Sequence, residues 1–499
     1  MIDPIRPNIL YTGGFCDGVF RSTDRGATWI SLPTSGFCIE SIALSPVNNA
    51  RLINDDGRLT NNGGQSWDRL SNFFGGNDVV FGPNGDLIIT AGFFGGPFFR
   101  PIDARAQTLL PDDAEEGDGI GSAVAVSGDL YVLGVPGDDD SGTNAGAVLV
   151  FQRDGTDLNF LEKILVPEGF SANSFGASLA LQGNILVVGA PGNGPIAKGT
   201  ERMQAAVFER LGGVWSLKTP IVSSGGSADD EFGATVSIDG STVAVGAPGD
   251  NQGEPGEGSG AAYVFDFDGS TATLLTKEKP PSPVAGARFG EGLDLKNGVM
   301  AVGAPRGQTL TGALAGTVSL YDQITNNLRP LGTVEGDGED NDDEFGAAVS
   351  LSGSRMIIGA PGEGGDAGDG VGAAYAFVLD GDFATRIARL QPDDTEPGDE
   401  FGRSVDIAGE RAIVGAPQAS AVEGIDSGAA YLFAVSDNAV EQQEKLAPLD
   451  DDSAGGFGTS VAISDTEILI GAPASQGDTG AAQVKSDTEL VFGGDFEPN

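Results

Sequence analysis

The chain has 499 residues, among them 79 glycines and 27 prolines, and apolar residues make up 39%. Its 72 acidic and 27 basic residues give a formal charge of −45, which makes nucleic acid a poor partner, because binding it rests on neutralising phosphates. Histidine is absent, so imidazole acid–base catalysis, Ser-His-Asp chemistry and His-ligated zinc are excluded.

The opening, Met1 to Pro7, lacks the basic-then-apolar pattern of a signal peptide, and the expectation is a true start further upstream. Cys16 and Cys38 are the two cysteines and could form one disulfide. No run approaches the 18 or so apolar residues of a membrane-spanning helix. The stretches Ser22 to Trp29 and Thr60 to Trp67 share the form Ser/Thr-x-Asp/Asn-x-Gly-x-Thr/Ser-Trp. Such a pattern describes a hairpin turn in which a short polar side chain caps the loop and the tryptophan packs beneath it.

These two stretches are similar to the Asp-box of BNR and sialidase-like propellers. The resemblance implies a structural turn, not a catalytic one. A sialidase also carries an arginine triad, a Tyr/Glu pair and an Arg-Ile-Pro motif ahead of the boxes. Here Phe99-Arg100-Pro101 follows the boxes and lacks the isoleucine. Residues 1–105 therefore read as an incomplete Asp-box β segment, a partial propeller or a cap.

From residue 106 a second pattern takes over. Seven times an Ile-Gly or Phe-Gly step, at Ile120, Phe175, Phe232, Phe289, Phe345, Phe401 and Phe457, precedes a Gly-Ala-Pro or Gly-Val-Pro triplet by 14 residues. Successive steps lie 55 to 57 residues apart, the signature of one supersecondary unit repeated. Within a unit, alternation such as Val236/Ile238 predicts a strand with one apolar face. A two-residue turn returns the chain into Thr242 to Pro248, apolar on both faces and so expected between neighbouring sheets. Gly260 to Phe265 and a weaker fourth segment, as at Ala384 to Leu390, complete four antiparallel strands.

The fold class is accordingly all-β, a seven-bladed β-propeller of four-stranded antiparallel blades over 106–486, preceded by the incomplete Asp-box segment and followed by a tail, 487–499. The stretch at 106–110 precedes the first unit and should supply the fourth strand of the last blade, leaving no exposed edge. These units resemble the FG-GAP repeat of integrin α-subunit heads and bacterial extracellular proteins. The resemblance implies adhesion or ligand binding, often with calcium held in an Asp-rich loop between strands one and two. Here that loop is a bare turn, Ile238-Asp-Gly-Ser-Thr242, so calcium is not expected at the family's usual position.

The acid lies elsewhere, in loops leading into strand one and between strands two and three. In an up-and-down blade both emerge at one end, so both should crowd one rim. Asp138, Asp140, Asp250, Asp343, Glu344, Asp399 and Glu400 are the candidate ligands there for Ca²⁺ in loosely built oxygen sites, with no cofactor required. The other reading is ordinary solvated turn residues. Where the sevenfold likeness breaks, Lys198 and Arg202 in the long loop 192–203, and Arg288 and Arg306 in the fourth unit, are candidate contacts to an anionic ligand.

The functional reading is a monomeric, non-enzymatic propeller, extracellular or at the cell surface, that binds a protein or glycan through this rim. A structural or surface-layer module is one alternative. A carboxylate-based glycan hydrolase is the other, weakened because carboxylates recur in every loop rather than as one unique pair.

Overall fold

The computed structural model describes ten short strands, residues 27–29 and residue 32 in the first hundred residues, then 106–109 and 114–486. Excepted in the latter range are the stretches 155–156, 193–200, 224–227, 252–257, 325–326, 338–340, 365–369, 382, 421–426, 449–454 and 475–478. Cys16, Cys38, Trp67, Lys198 and the tail 487–499 fall outside the described residues. By compactness the chain forms two units, 1–107 with 449–451, and 108–448 with 452–499. Among the described residues no helix is long and apolar enough to cross a membrane.

In the first unit the two box-like stretches each join antiparallel strands. Gly18–Ser22 pairs with Ile30–Ser31, and Arg58–Thr60 with Asp68–Arg69. The expected packing of the tryptophan beneath its turn is not what is found at Trp29, which stays 42% exposed. The strand after it is exposed as well, and the turn residues 23–26 lie outside the described residues.

Among its described residues the second unit holds seven four-stranded antiparallel sheets and one two-stranded parallel sheet, an arrangement that fits a β-propeller. Their first strands are Val124–Ser127, Ser178–Gln182, Thr235–Asp239, Leu293–Lys296, Ala348–Ser352, Ser404–Ala408 and Ser460–Ile463, and the sheets are numbered one to seven in that order. Each first strand packs against the next, and that of sheet seven against that of sheet one. The fourth strand of sheet seven is Ala106–Leu109, as expected, and Leu109 is buried with Val484 and Leu469.

The repeated glycines explain the junction between sheets. In sheet five the Gly402-equivalent, Gly346, donates its N–H to Gly359 of its own triplet, while Gly359 lies flat against the carbonyl of Gly402 in sheet six. A Cβ on Gly359 would come within 1.9 Å of that oxygen, and Gly402 itself sits at φ +98°, so both positions require glycine. The same approach joins sheet seven back to sheet one, where a Cβ on Gly471 would lie 2.0 Å from the Gly121 carbonyl. Ser460 Oγ donates to that carbonyl at 2.7 Å, as Ser404 Oγ does to Gly458 at 2.8 Å.

The phenylalanine or isoleucine of each step is the plug of the layer. Phe232, Phe345 and Phe401 are at most 1% exposed and meet Tyr263, Tyr375 and Tyr431 of the third strands edge-on at 5.0 to 5.4 Å. Second strands are buried beyond their first residue, and Thr242–Ala247 along its whole length, because a sheet lies on either side. A β-bulge recurs between strands three and four, as at Val264/Phe265 and Leu432/Phe433, and adds twist at the outer edge.

Alternation along the first strands leaves every second side chain facing a cavity of about 380 Å³ that they enclose. Ala125, Ala180 and Ala462 occupy that position in three sheets, and Ser237 and Ser350 in two. Asp294 and Asp406 take it in sheets four and six.

Candidate functional site

Both loop sets do meet at one end of the sheets. The loop between strands two and three donates to the leading loop at Gly137 N–H to Asp118 O (3.0 Å), Gly249 to Asp230 (3.1 Å), Gly362 to Asp343 (3.2 Å) and Gln418 to Asp399 (3.4 Å). The rim is therefore a layer of paired loops, as the strand connectivity requires.

Within it, most of the expected metal ligands have protein partners. Asp250 is 2% exposed, accepts the Tyr263 hydroxyl at 2.6 Å and pairs with Lys277 Nζ at 2.8 Å. Glu363 repeats this in sheet five, with Tyr375 at 2.5 Å and Arg389 Nε at 2.7 Å. In sheet one Lys163 pairs with buried Asp138 and with Asp140, the latter at 2.7 Å. The base always comes from strand four opposite a fixed residue of strand three: Lys277 faces Tyr263, Arg389 faces Tyr375, and Lys163 faces Leu149. Sheet six has a looser version, with Lys445 bound to Asp394 at 2.7 Å and lying 5.3 Å from the Tyr431 ring. Burial, with the neighbouring carboxylate, pushes the hydroxyls of Tyr263 and Tyr375 well above the ordinary range, so they remain donors.

Asp399 instead holds its own turn, accepting the Glu396 N–H at 2.8 Å, and Asp118 does the same with Glu115. Burial raises both carboxyls, partly offset by those amide bonds. Asp343 is 3% exposed, and burial also raises neighbouring Glu344. Glu400 lies 4.0 Å from Arg403. Among the described residues, no group of three or more acidic or cysteine side chains is arranged to hold a metal ion.

The basic candidates separate. Arg288 is tied to Glu231 at 2.8 Å and to Glu291. Arg202, on the short strand Glu201–Arg202, points back to the Gly192 carbonyl at 3.4 Å. Arg306 is the open one: its side chain is 51% exposed, with Asp342 and Glu344 no nearer than 3.9 and 3.7 Å.

Four residues after Arg306 stands a feature that sequence reasoning missed. Leu310 is 96% exposed, yet its loop is firmly braced. The Leu310 N–H donates to Glu335 at 2.8 Å and the Leu314 N–H to Asn341 at 2.8 Å. Thr309 bonds Thr311 and the Ala313 carbonyl, and Gln308 bonds Gly312. The sequence signal was there: Gly307 stands where sheets three and five carry the acid, and Thr333 where they carry the base. Sheet two likewise has Thr219 opposite Val207.

The FG-GAP repeat family model matches residues 104–151, 215–265, 334–377, 384–433 and 440–484. Each match runs from the fourth strand of one sheet through the third of the next, or nearly so, in step with the borrowed fourth strand of sheet seven. Two of the unmatched stretches, 152–214 and 266–333, hold the first three strands of sheets two and four, where among the described residues the buried ion pair is also missing. No curated protein matches the chain. With five matches in register along its second unit, the chain is an FG-GAP repeat protein.

Proposed function

We propose that this FG-GAP protein is a closed seven-bladed β-propeller that acts outside the cell or at its surface as a non-enzymatic binder of a protein or glycan. Its contact surface is the loop rim, centred on sheet four. The observation that carries this reading is the coincidence, at sheet four, of a lapsed family match, a missing ion pair and a braced loop holding Leu310 in water four residues after Arg306. Fixing a loop by five hydrogen bonds around an exposed leucine lowers the ordering cost of any later contact. Family resemblance supports the adhesion-type role, and radial sheets let rim loops vary without disturbing the layers beneath.

The test is binding to a glycan array and to immobilised extracellular matrix proteins, with wild type, Leu310→Ser and Arg306→Ala in parallel. Loss of tenfold or so in affinity in both variants is expected from removing an anchor and its charged neighbour. Binding that is the same in all three would sink the assignment to sheet four.

A further inference from the structure

The cavity enclosed by the first strands has an uneven wall. At the inward position the side chains of sheets one, two and seven are alanines, whereas sheets three to six run Ser237, Asp294, Ser350, Asp406. These four side chains cross from sheet to sheet. Ser237 Oγ donates to Asp294 Oδ1 at 2.7 Å, and Asp294 Oδ2 accepts the Leu351 N–H of sheet five at 2.8 Å. Ser350 Oγ donates to Asp406 Oδ1 at 2.8 Å, and Asp406 Oδ2 accepts the Ile463 N–H of sheet seven at 2.7 Å. Each aspartate also takes the N–H of the residue after it, Leu295 at 2.8 Å and Ile407 at 2.9 Å. Two carboxyl groups thus tie five successive sheets at the centre of the ring.

We propose that Asp294 and Asp406 form a proton-holding clamp, which takes up a proton from the channel water in the folded state while keeping sheets three to seven tied together.

At Asp294 the serine makes this feasible without breaking a tie. Ser237 Oγ has a second acceptor, the Leu295 carbonyl at 3.5 Å, and already accepts the Leu295 N–H at 3.1 Å. When a proton binds Asp294 Oδ1, the Ser237 hydroxyl turns to that carbonyl and its oxygen accepts from the carboxyl. The bond between sheets three and four survives with its direction reversed. Asp294 Oδ2, facing Leu351, stays an acceptor throughout.

The charges around the pair favour uptake. Asp294 and Asp406 repel each other through adjacent residues of one strand, and one proton relieves that repulsion. Burial is the largest influence on both and pushes both carboxyls up, against their amide and hydroxyl donors. Lys296, on the strand of Asp294, pulls the other way, and Asp465 is the remaining charged group on the channel wall. Asp239 of sheet three is turned to the Gly298 N–H at 3.2 Å. The sign follows. A carboxyl raised in the folded state contributes stability that is fully present below its unfolded value and is lost as pH rises through its folded value. Mild acid should therefore tighten this part of the ring.

Infrared difference spectra and thermal melts between about pH 7 and pH 4 would compare wild type with Asp294→Asn/Asp406→Asn. In wild type a protonated-carboxyl band should emerge before the bulk of the carboxylates titrate, and the double variant should lose part of its intensity, leaving what Asp118, Glu344 and Asp399 contribute. The melting temperature of wild type relative to the variant should rise by about 2 °C or more as pH falls across that range. An early band of unchanged intensity in the double variant, or a melting difference that is flat with pH, would overturn the proposal. Should the double variant not fold, Ser237→Ala and Ser350→Ala serve: each removes a donor that favours the charged carboxylate and should bring the band forward to higher pH, and an unmoved band refutes the clamp.

Discussion

Sheets three and four are neighbours with the same strands, the same glycine junction and the same bulge, yet they treat their rim differently. Sheet three buries Asp250 against Lys277 and Tyr263. Sheet four has Gly307, Thr333 and Ser319 at the corresponding places, and displays Leu310 and Arg306 instead. The difference separates two duties that acidic rim loops can have. Where a carboxylate is buried with a base and a tyrosine, it belongs to the folding of its own sheet. Where that set is missing, the loop is free to be shaped for something else.

The largest effect should come from what the two sheets share. Gly303→Val in sheet four and Gly359→Val in sheet five each force a Cβ to within 1.9 Å of the next sheet's glycine carbonyl. Backbone cannot yield there without opening the ring, so each should cost more than about 4 kcal/mol in urea unfolding, or prevent folding. If Gly303→Val unfolds like wild type, sheet four is not held by the junction that holds sheet five, and the two are less alike than their hydrogen bonds indicate.

A smaller effect isolates the rim. Lys277→Met leaves Asp250 with its charge buried and its main partner gone, which should cost about 3 kcal/mol. Asp250→Asn/Lys277→Met should recover most of that, since removing both charges also removes their desolvation. In sheet four Thr333→Met, at the matching position, should stay within about 0.5 kcal/mol. An equal loss at both positions would show that strand-four packing, not the ion pair, governs the rim.

The repeat was legible because its causes are local and recur seven times. Gly-Ala-Pro 14 residues after Phe-Gly is the footprint of one glycine-on-carbonyl contact, and alternation in Val236/Ile238 shows which face is buried. Even the borrowed strand at 106–109 could be read from its likeness to the segment ahead of Phe401. The rim was harder. Asp250 and Asp399 look the same in sequence, as acids in glycine-rich loops. One pairs with a lysine 27 residues later and the other caps its own turn. Pairing depends on which strand-four residue lies across from strand three, and a bulge shifts that register by one. Asp294 and Asp406 stood in plain view as polar residues in a small-residue column. Their meaning depends on which strands are neighbours around the channel, which one strand alone cannot reveal.

The smallest effect is the one that separates folding from binding at sheet four. Leu310 makes no use of its side chain in the fold, being 96% exposed, and the loop is held by backbone groups, threonines, Gln308 and the side chains of Glu335 and Asn341. Arg306 is half exposed and its nearest carboxylates are at 3.7 and 3.9 Å, a geometry that contributes little in water. Leu310→Ser and Arg306→Ala should therefore each melt as wild type does, within about 0.5 kcal/mol. A residue kept in water at no gain to the fold, on a loop fixed in advance, is what a contact surface requires. If Leu310→Ser instead lowers stability by more than about 1 kcal/mol, the leucine is covered in the folded protein, and its case as an anchor for a partner fails.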